Sequence, residues 1–105
     1  MKFTSFLQDG NLTVVLTGEI DHHCAKHYIR AIAGKVEAYT PAICILDFSE
    51  VTFIDSSGVA VVINALRNMK AIGGRLLLMG IGAQPMKVFR AAGIDKIIEI
   101  KEVTI

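Results

Sequence analysis

Between Val51 and Val62 two apolar runs meet at four small polar residues, Asp55-Ser56-Ser57-Gly58. No other stretch limits the possible folds as sharply. Asp and Ser end an extended segment and cap a helix, because their side-chain oxygens accept hydrogen bonds from the free N–H groups of a first helical turn. A strand therefore hands over to a helix at this junction. Two hydroxyls at a helix N-terminus lie where the aligned peptide dipoles favour negative charge, so Ser56 or Ser57 is a candidate phosphate carrier. A plain helix cap is the competing reading of the same four residues.

The chain's 105 residues, 52% of them hydrophobic, suit one domain with a core of its own and no second. No linker or low-complexity segment divides it. Eleven basic residues against 10 acidic ones leave a formal charge of +1, without the basic footprint of a nucleic-acid binder. Charge or glycine interrupts every apolar run before membrane-spanning length, and Met1-Lys2-Phe3-Thr4 carries no signal-peptide core. A soluble cytoplasmic protein with no membrane contact is expected. Cys24 and Cys44 belong to no Cys-x-x-Cys pair, and burial rather than a disulfide is expected of both.

Read in order, Phe3 to Gln8 and Asn11 to Gly18 are strands joined by Asp9-Gly10, a dipeptide suited to a tight hairpin. Cys24 to Tyr39 places Ala25, Tyr28, Ile29, Ile32, Ala33 and Val36 on one helical face, with Asp21 at or beside its cap. Pro41 stops that helix. Ala42 to Phe48 is apolar without alternation, which predicts a central strand buried on both faces, and Val51 to Ile54 leads from it into the Asp-Ser-Ser-Gly junction. From Ser57 to Ile72 a helix carries Val59, Val62, Ile63, Leu66 and Met69 on one stripe, widened by Val61, Ala65 and Ile72. Two readings of that surplus stand: a broad core contact, or an apolar patch for a partner near Ser57. Gly73-Gly74 ends the helix, Arg75 to Met79 is a further buried strand, Pro85 to Ala92 a short helix, and Ile97 to Ile100 a last strand.

Strands alternating with helices imply an α/β fold with a mixed sheet, an N-terminal hairpin and helices packed on the sheet; strand order is not readable. Loops at the strands' carboxyl ends then share one rim, which gathers Asp21, Asp55 to Gly58, and Gly80 to Gln84.

Enzyme classes find little support on that rim. The phosphate-loop motif is absent, Gly80-Ile81-Gly82 lacks the third glycine of a dinucleotide fingerprint, and Ser57 does not sit in Gly-x-Ser-x-Gly. His23 and His27 stand four apart and invite a metal, with Cys24 adjacent, but no second cluster completes a ligand set; capping or surface roles are the default. No catalytic residue, cofactor or metal is expected.

Two blocks resemble the anti-sigma factor antagonists of the STAS domain family, close to the sporulation type of spore-forming bacteria. They are Gly18-Glu19-Ile20-Asp21-His22-His23 and Asp55-Ser56-Ser57-Gly58, supported by the Ile72-Gly73-Gly74 helix end. The resemblance implies that Ser57 is the phosphorylated serine and that Asp21, Asp55, Ser56, Ser57 and Gly58 form the partner-binding rim. It implies an unphosphorylated form that binds an anti-sigma factor serine kinase and frees the sigma factor, with a serine phosphatase resetting the switch. An interaction or ligand-sensing module in a stress-signalling assembly, with no sigma factor involved, is the alternative. Family members usually continue into a further helix where this chain ends at Lys101-Glu102-Val103-Thr104-Ile105. A truncated, naturally short or strand-like ending all fit, and an uncovered apolar sheet edge would favour dimerisation or aggregation.

Overall fold

A computed structural model describes residues 3–101 of the chain. Strands β1 (Phe3–Gln8) and β2 (Asn11–Ile20) form the predicted hairpin. Asp9 and Gly10 both take positive φ, 53° and 80°, the backbone that a two-residue turn needs if its twist is to match the strands. Helix α1 (His22–Tyr39), strand β3 (Ile43–Ile54), helix α2 (Ser56–Ala71), strand β4 (Arg75–Met79), helices α3 (Ala83–Ala91) and α4 (Ile94–Ile97), and strand β5 (Glu99–Lys101) follow.

The five strands lie in sequential order, β1 antiparallel to β2 and the rest parallel. Each new parallel strand is added at the same edge, and the usual right-handed crossover then puts every connecting helix on the same face. Burial follows: Leu12, Val14 and Leu16 of β2, Cys44, Leu46 and Phe48 of β3, and Leu76 and Leu78 of β4 are enclosed with Tyr28, Ile32, Val61, Val62, Met69 and Phe89 of the helices in one core. On that face Phe48 and Phe89 meet edge to face at 5.3 Å, fixing α3 to the sheet. The alternate residues, among them Val15, Ile43, Ile45, Leu77 and Met79, are only half-buried.

That alternation corrects the expectation of a strand buried on both faces. Ala42 to Phe48 is apolar on both sides, yet the described helices cover only one. The separate Val51 to Ile54 segment is also corrected, since it belongs to the same strand. Val15 pairs with Asp47 but Thr17 with Glu50, and Gly18 with Val51 but Glu19 with Phe53, so β3 gains a residue on β2 at two places. Such bulges break the two-residue period and leave Phe48, Val51 and Ile54 buried at every third position.

Other corrections are local. β2 runs on to Ile20 and α1 starts two residues early at His22, because Asp21 is its cap. The left-handed residue closing α1 is Thr40, ahead of Pro41. α2 buries Gly58, Val61, Val62, Ala65 and Met69, so its inward face is rotated from the predicted stripe, with Val59, Ile63 and Leu66 at its margin and Ile72 exposed. Pro85 lies inside the first turn of α3 rather than opening it, where its missing N–H has no helical partner to lose. Gly93, left-handed, caps the start of α4, in a stretch to which the sequence assigned no element, and the last strand is Glu99–Lys101 rather than Ile97 to Ile100. Residues 102–105, on which the reading of the chain's ending rests, lie outside the described residues.

Candidate functional site

The site grows from the register of β2 and β3. Ile20 and Ile54 are paired neighbours at the ends of the two parallel strands, and each is followed at once by an aspartate. The Asp55 N–H donates to the Ile20 carbonyl at 3.3 Å, holding the two chain exits together. Both aspartates then cap a helix. Asp21 accepts the His23 N–H at 2.9 Å and Asp55 accepts the Ser57 N–H at 2.7 Å. Two helix N-termini and two carboxylates thus open on one rim.

Ser56 and Ser57 are the first two helical residues of α2, Ser56 exposed and Ser57 half-buried. The cap is therefore Asp55 alone, and neither serine is needed for it. Gly58, in the same turn, is buried against Ile54: a Cβ built on it would stand 2.7 Å from the Ile54 Cβ. The first turn of α2 is seated on the last residue of β3 at a distance only glycine allows.

Asp21 feels opposing influences. Partial desolvation raises its pKa, but the backbone N–H, side chain and charge of His23 and the backbone N–H of Cys24 outweigh it and hold the carboxyl below its ordinary value. The His23 ring nitrogen Nδ1 lies 3.5 Å from the Asp21 carboxylate. His22 and His23 bring their rings within 4.0 Å of each other, whereas His27 meets the edge of Tyr28. His23 and His27 stand four apart on α1, as the spacing implied, and their rings make separate contacts. Among the described residues, no three of His, Cys, Asp and Glu come together as a metal site. The Cys24 thiol donates to the carbonyls of Glu19 and Asp21, and burial pushes the Cys44 thiol up to about 12.

Residues 7–104 match the STAS domain. The chain belongs to the STAS family. Within it, the chain is 30% identical to the anti-sigma F factor antagonist of Lysinibacillus sphaericus over 83 residues, 79% of this chain and 71% of that one. The anti-sigma factor antagonist SpoIIAA in its unphosphorylated form superposes with a TM-score of 0.75 at 25% identity, covering 98% of this chain and 90% of that one. Phosphorylated SpoIIAA, a Bacillus cell fate determinant, gives 0.77 at 26% identity, over 98% and 92% of the two chains. The mixed sheet with helices on one face is the STAS fold of those structures. No described helix is long and apolar enough to cross a membrane.

Of the residues singled out from the sequence, Asp21, Asp55, Ser56, Ser57 and Gly58 come together on the STAS rim through the Ile20–Ile54 pairing. Gln84, from the third rim segment, joins them in a way the sequence did not announce. Its side-chain amide accepts the Ile54 N–H and donates to the Ile54 carbonyl, both at 2.9 Å. Nothing in a lone glutamine ahead of a proline marks such a contact.

Proposed function

We propose that this STAS domain, taken as residues 1–105, is an anti-sigma factor antagonist that works by binding rather than by catalysis. Its unphosphorylated form binds an anti-sigma factor that is also a serine kinase and displaces the sigma factor. Phosphorylation of Ser57 ends that binding, and a serine phosphatase restores it. The observation that carries this reading is the position of Ser57 in the first turn of α2, beside the Asp55 cap and on the rim shared with Asp21. Likeness to SpoIIAA solved with and without phosphate supports a switch that leaves the fold in place.

The physics of the rim agrees. A phosphate adds nearly two negative charges at a helix N-terminus, where the backbone dipoles accept them, so the domain stays folded. The same charge faces the carboxylates of Asp21 and Asp55 and any partner surface laid across the rim. Repulsion and desolvation of a few kcal/mol there amount to a hundredfold or more in affinity, at about 1.4 kcal/mol per decade.

The test is incubation with an anti-sigma factor kinase of this family and ATP, followed by mass-spectrometric site mapping and a binding measurement before and after. Phosphate on Ser57 with loss of the complex is the expected result. Phosphate on Ser56 alone, or equal binding by both forms, overturns the proposal.

A further inference from the structure

Among the described residues β4 pairs with β3 only from Ile43 to Asp47, and from Phe48 to Ile54 the longer strand pairs with β2 alone. At its end the β2 side is served by the Asp55 N–H on the Ile20 carbonyl. The Ile54 N–H and C=O are taken instead by the Gln84 amide, at 2.9 Å each. A primary amide sets one donor and one acceptor side by side, the pattern a neighbouring strand offers an extended residue. Gln84 is thus a one-residue substitute for the strand that β4 does not extend far enough to supply. It reaches from the first turn of α3, where the buried Pro85 and the packing of Phe89 on Phe48 anchor the helix.

Ile54 is the residue on which the acceptor turn rests. Its side chain lies beneath Gly58 and its successor, Asp55, caps the helix through the Ser57 N–H. Ser57 lies between those two supports. We infer that Gln84 is a positioning residue for phosphoryl transfer to Ser57, a step that rests on the reading of Ser57 as the acceptor. In that step the Ser57 Oγ forms a bond to the γ-phosphorus of the kinase's ATP, the bond to the β–γ bridging oxygen breaks, ADP leaves, and the hydroxyl proton passes to the kinase. In-line attack tolerates little displacement of the nucleophile; an error of about 1 Å costs on the order of a hundredfold in rate.

The inference separates turnover from docking. Gln84→Ala removes both hydrogen bonds, and Gln84→Glu keeps the acceptor for the Ile54 N–H but sets a carboxylate against the Ile54 carbonyl. With an anti-sigma factor kinase and ATP, each variant is expected to show kcat for Ser57 phosphorylation lowered roughly tenfold or more, with KM for the substrate protein within about twofold of the wild type. Gln84→Asn, the same amide one methylene shorter, is expected to fall between. Hydrogen exchange supplies a second readout that needs no kinase: the Ile54 amide loses protection in Gln84→Ala while Val14 and Leu46 keep theirs. Wild-type kcat in the variants overturns the inference and leaves the proposed function standing. A raised KM at unchanged kcat overturns it too, by making Gln84 a docking contact. A wild-type protein that takes no phosphate on Ser57 removes both readings.

Discussion

Asp21 and Asp55 occupy equivalent places one strand apart, each directly after one member of the Ile20–Ile54 pair and each accepting the N–H of the residue two positions on. Both hold extended backbone, with φ of −116° and −112°. For Asp55 this gives a prediction about the cap apart from any signalling. Asp55→Ala loses the acceptor for the Ser57 N–H and is expected to cost about 1 kcal/mol in urea denaturation, while Asp55→Asn, an equally good cap, stays within a few tenths. Equal losses in the two variants would mean that the charge, not the cap, matters.

For Asp21 the prediction concerns acid. Its carboxyl titrates below the ordinary value of 3.8, so its contribution to stability is complete above that pH and is lost as pH falls through the lower native value. Asp21→Asn keeps the capping acceptor without a titrating group. The acid limb of stability against pH, followed by circular dichroism between about pH 5 and pH 2, should be shallower in Asp21→Asn than in the wild type. Identical limbs would remove Asp21 as a source of acid sensitivity.

Gly58→Ala tests the seat of α2. Alanine is favoured over glycine inside a helix by about 0.8–1 kcal/mol. The new Cβ, however, would stand 2.7 Å from the Cβ of Ile54, an atom that no rotamer change can move aside. Overpacking of this kind costs about 1–3 kcal/mol, so a net loss on the order of 1 kcal/mol is expected in urea denaturation. A more stable variant would show that the turn has room to lift off the strand.

What was legible in the sequence was local chemistry and period. Asp-Ser-Ser-Gly after an apolar run reads as a strand giving way to a capped helix, and Asp9-Gly10 as a hairpin turn, because each rests on neighbours in the chain. The Asp21–Asp55 rim was legible too, since parallel strands bring their carboxyl ends together. The face left open by the helices was not, because an apolar residue reads the same whether fully or half-buried, as Leu46 and Ile45 illustrate. Nor were the bulges in β3 visible, since they are defined only against β2. The clamp of Gln84 on Ile54 spans 30 positions and leaves no periodic mark.

Cys44 has no exposed surface, and burial raises its thiol from 9.0 to about 12. Native protein should therefore withhold it from a thiol reagent at pH 8. In a Cys24→Ser background, which leaves Cys44 alone, labelling is expected to wait for unfolding and to speed up across the urea transition. The sign of the linkage adds an alkaline limb. Below about pH 9 both states keep the proton and stability is unaffected. Above it only the unfolded chain ionises, and stability falls until about pH 12. Labelling in native buffer at the rate of a free thiol would place Cys44 outside the core.

Ser57→Asp separates the switch from the scaffold. The carboxylate stands in the first turn of α2, where the helix dipole favours it, but one residue from Gly58 and two from the Asp55 carboxylate that caps the same turn. These effects oppose each other, so the variant should keep its far-UV circular dichroism and a melting temperature within a few degrees of the wild type. On the proposed function, affinity for an anti-sigma factor kinase should nonetheless fall at least tenfold by calorimetry, because the added charge enters the proposed contact surface, where Asp21 and Asp55 already place two carboxylates. Ser56→Asp is the control one position away: exposed and outside the Asp55 hydrogen bond, it should weaken binding less. Equal losses from both positions would mean that net charge on the rim, rather than the place of Ser57 in the turn, governs association.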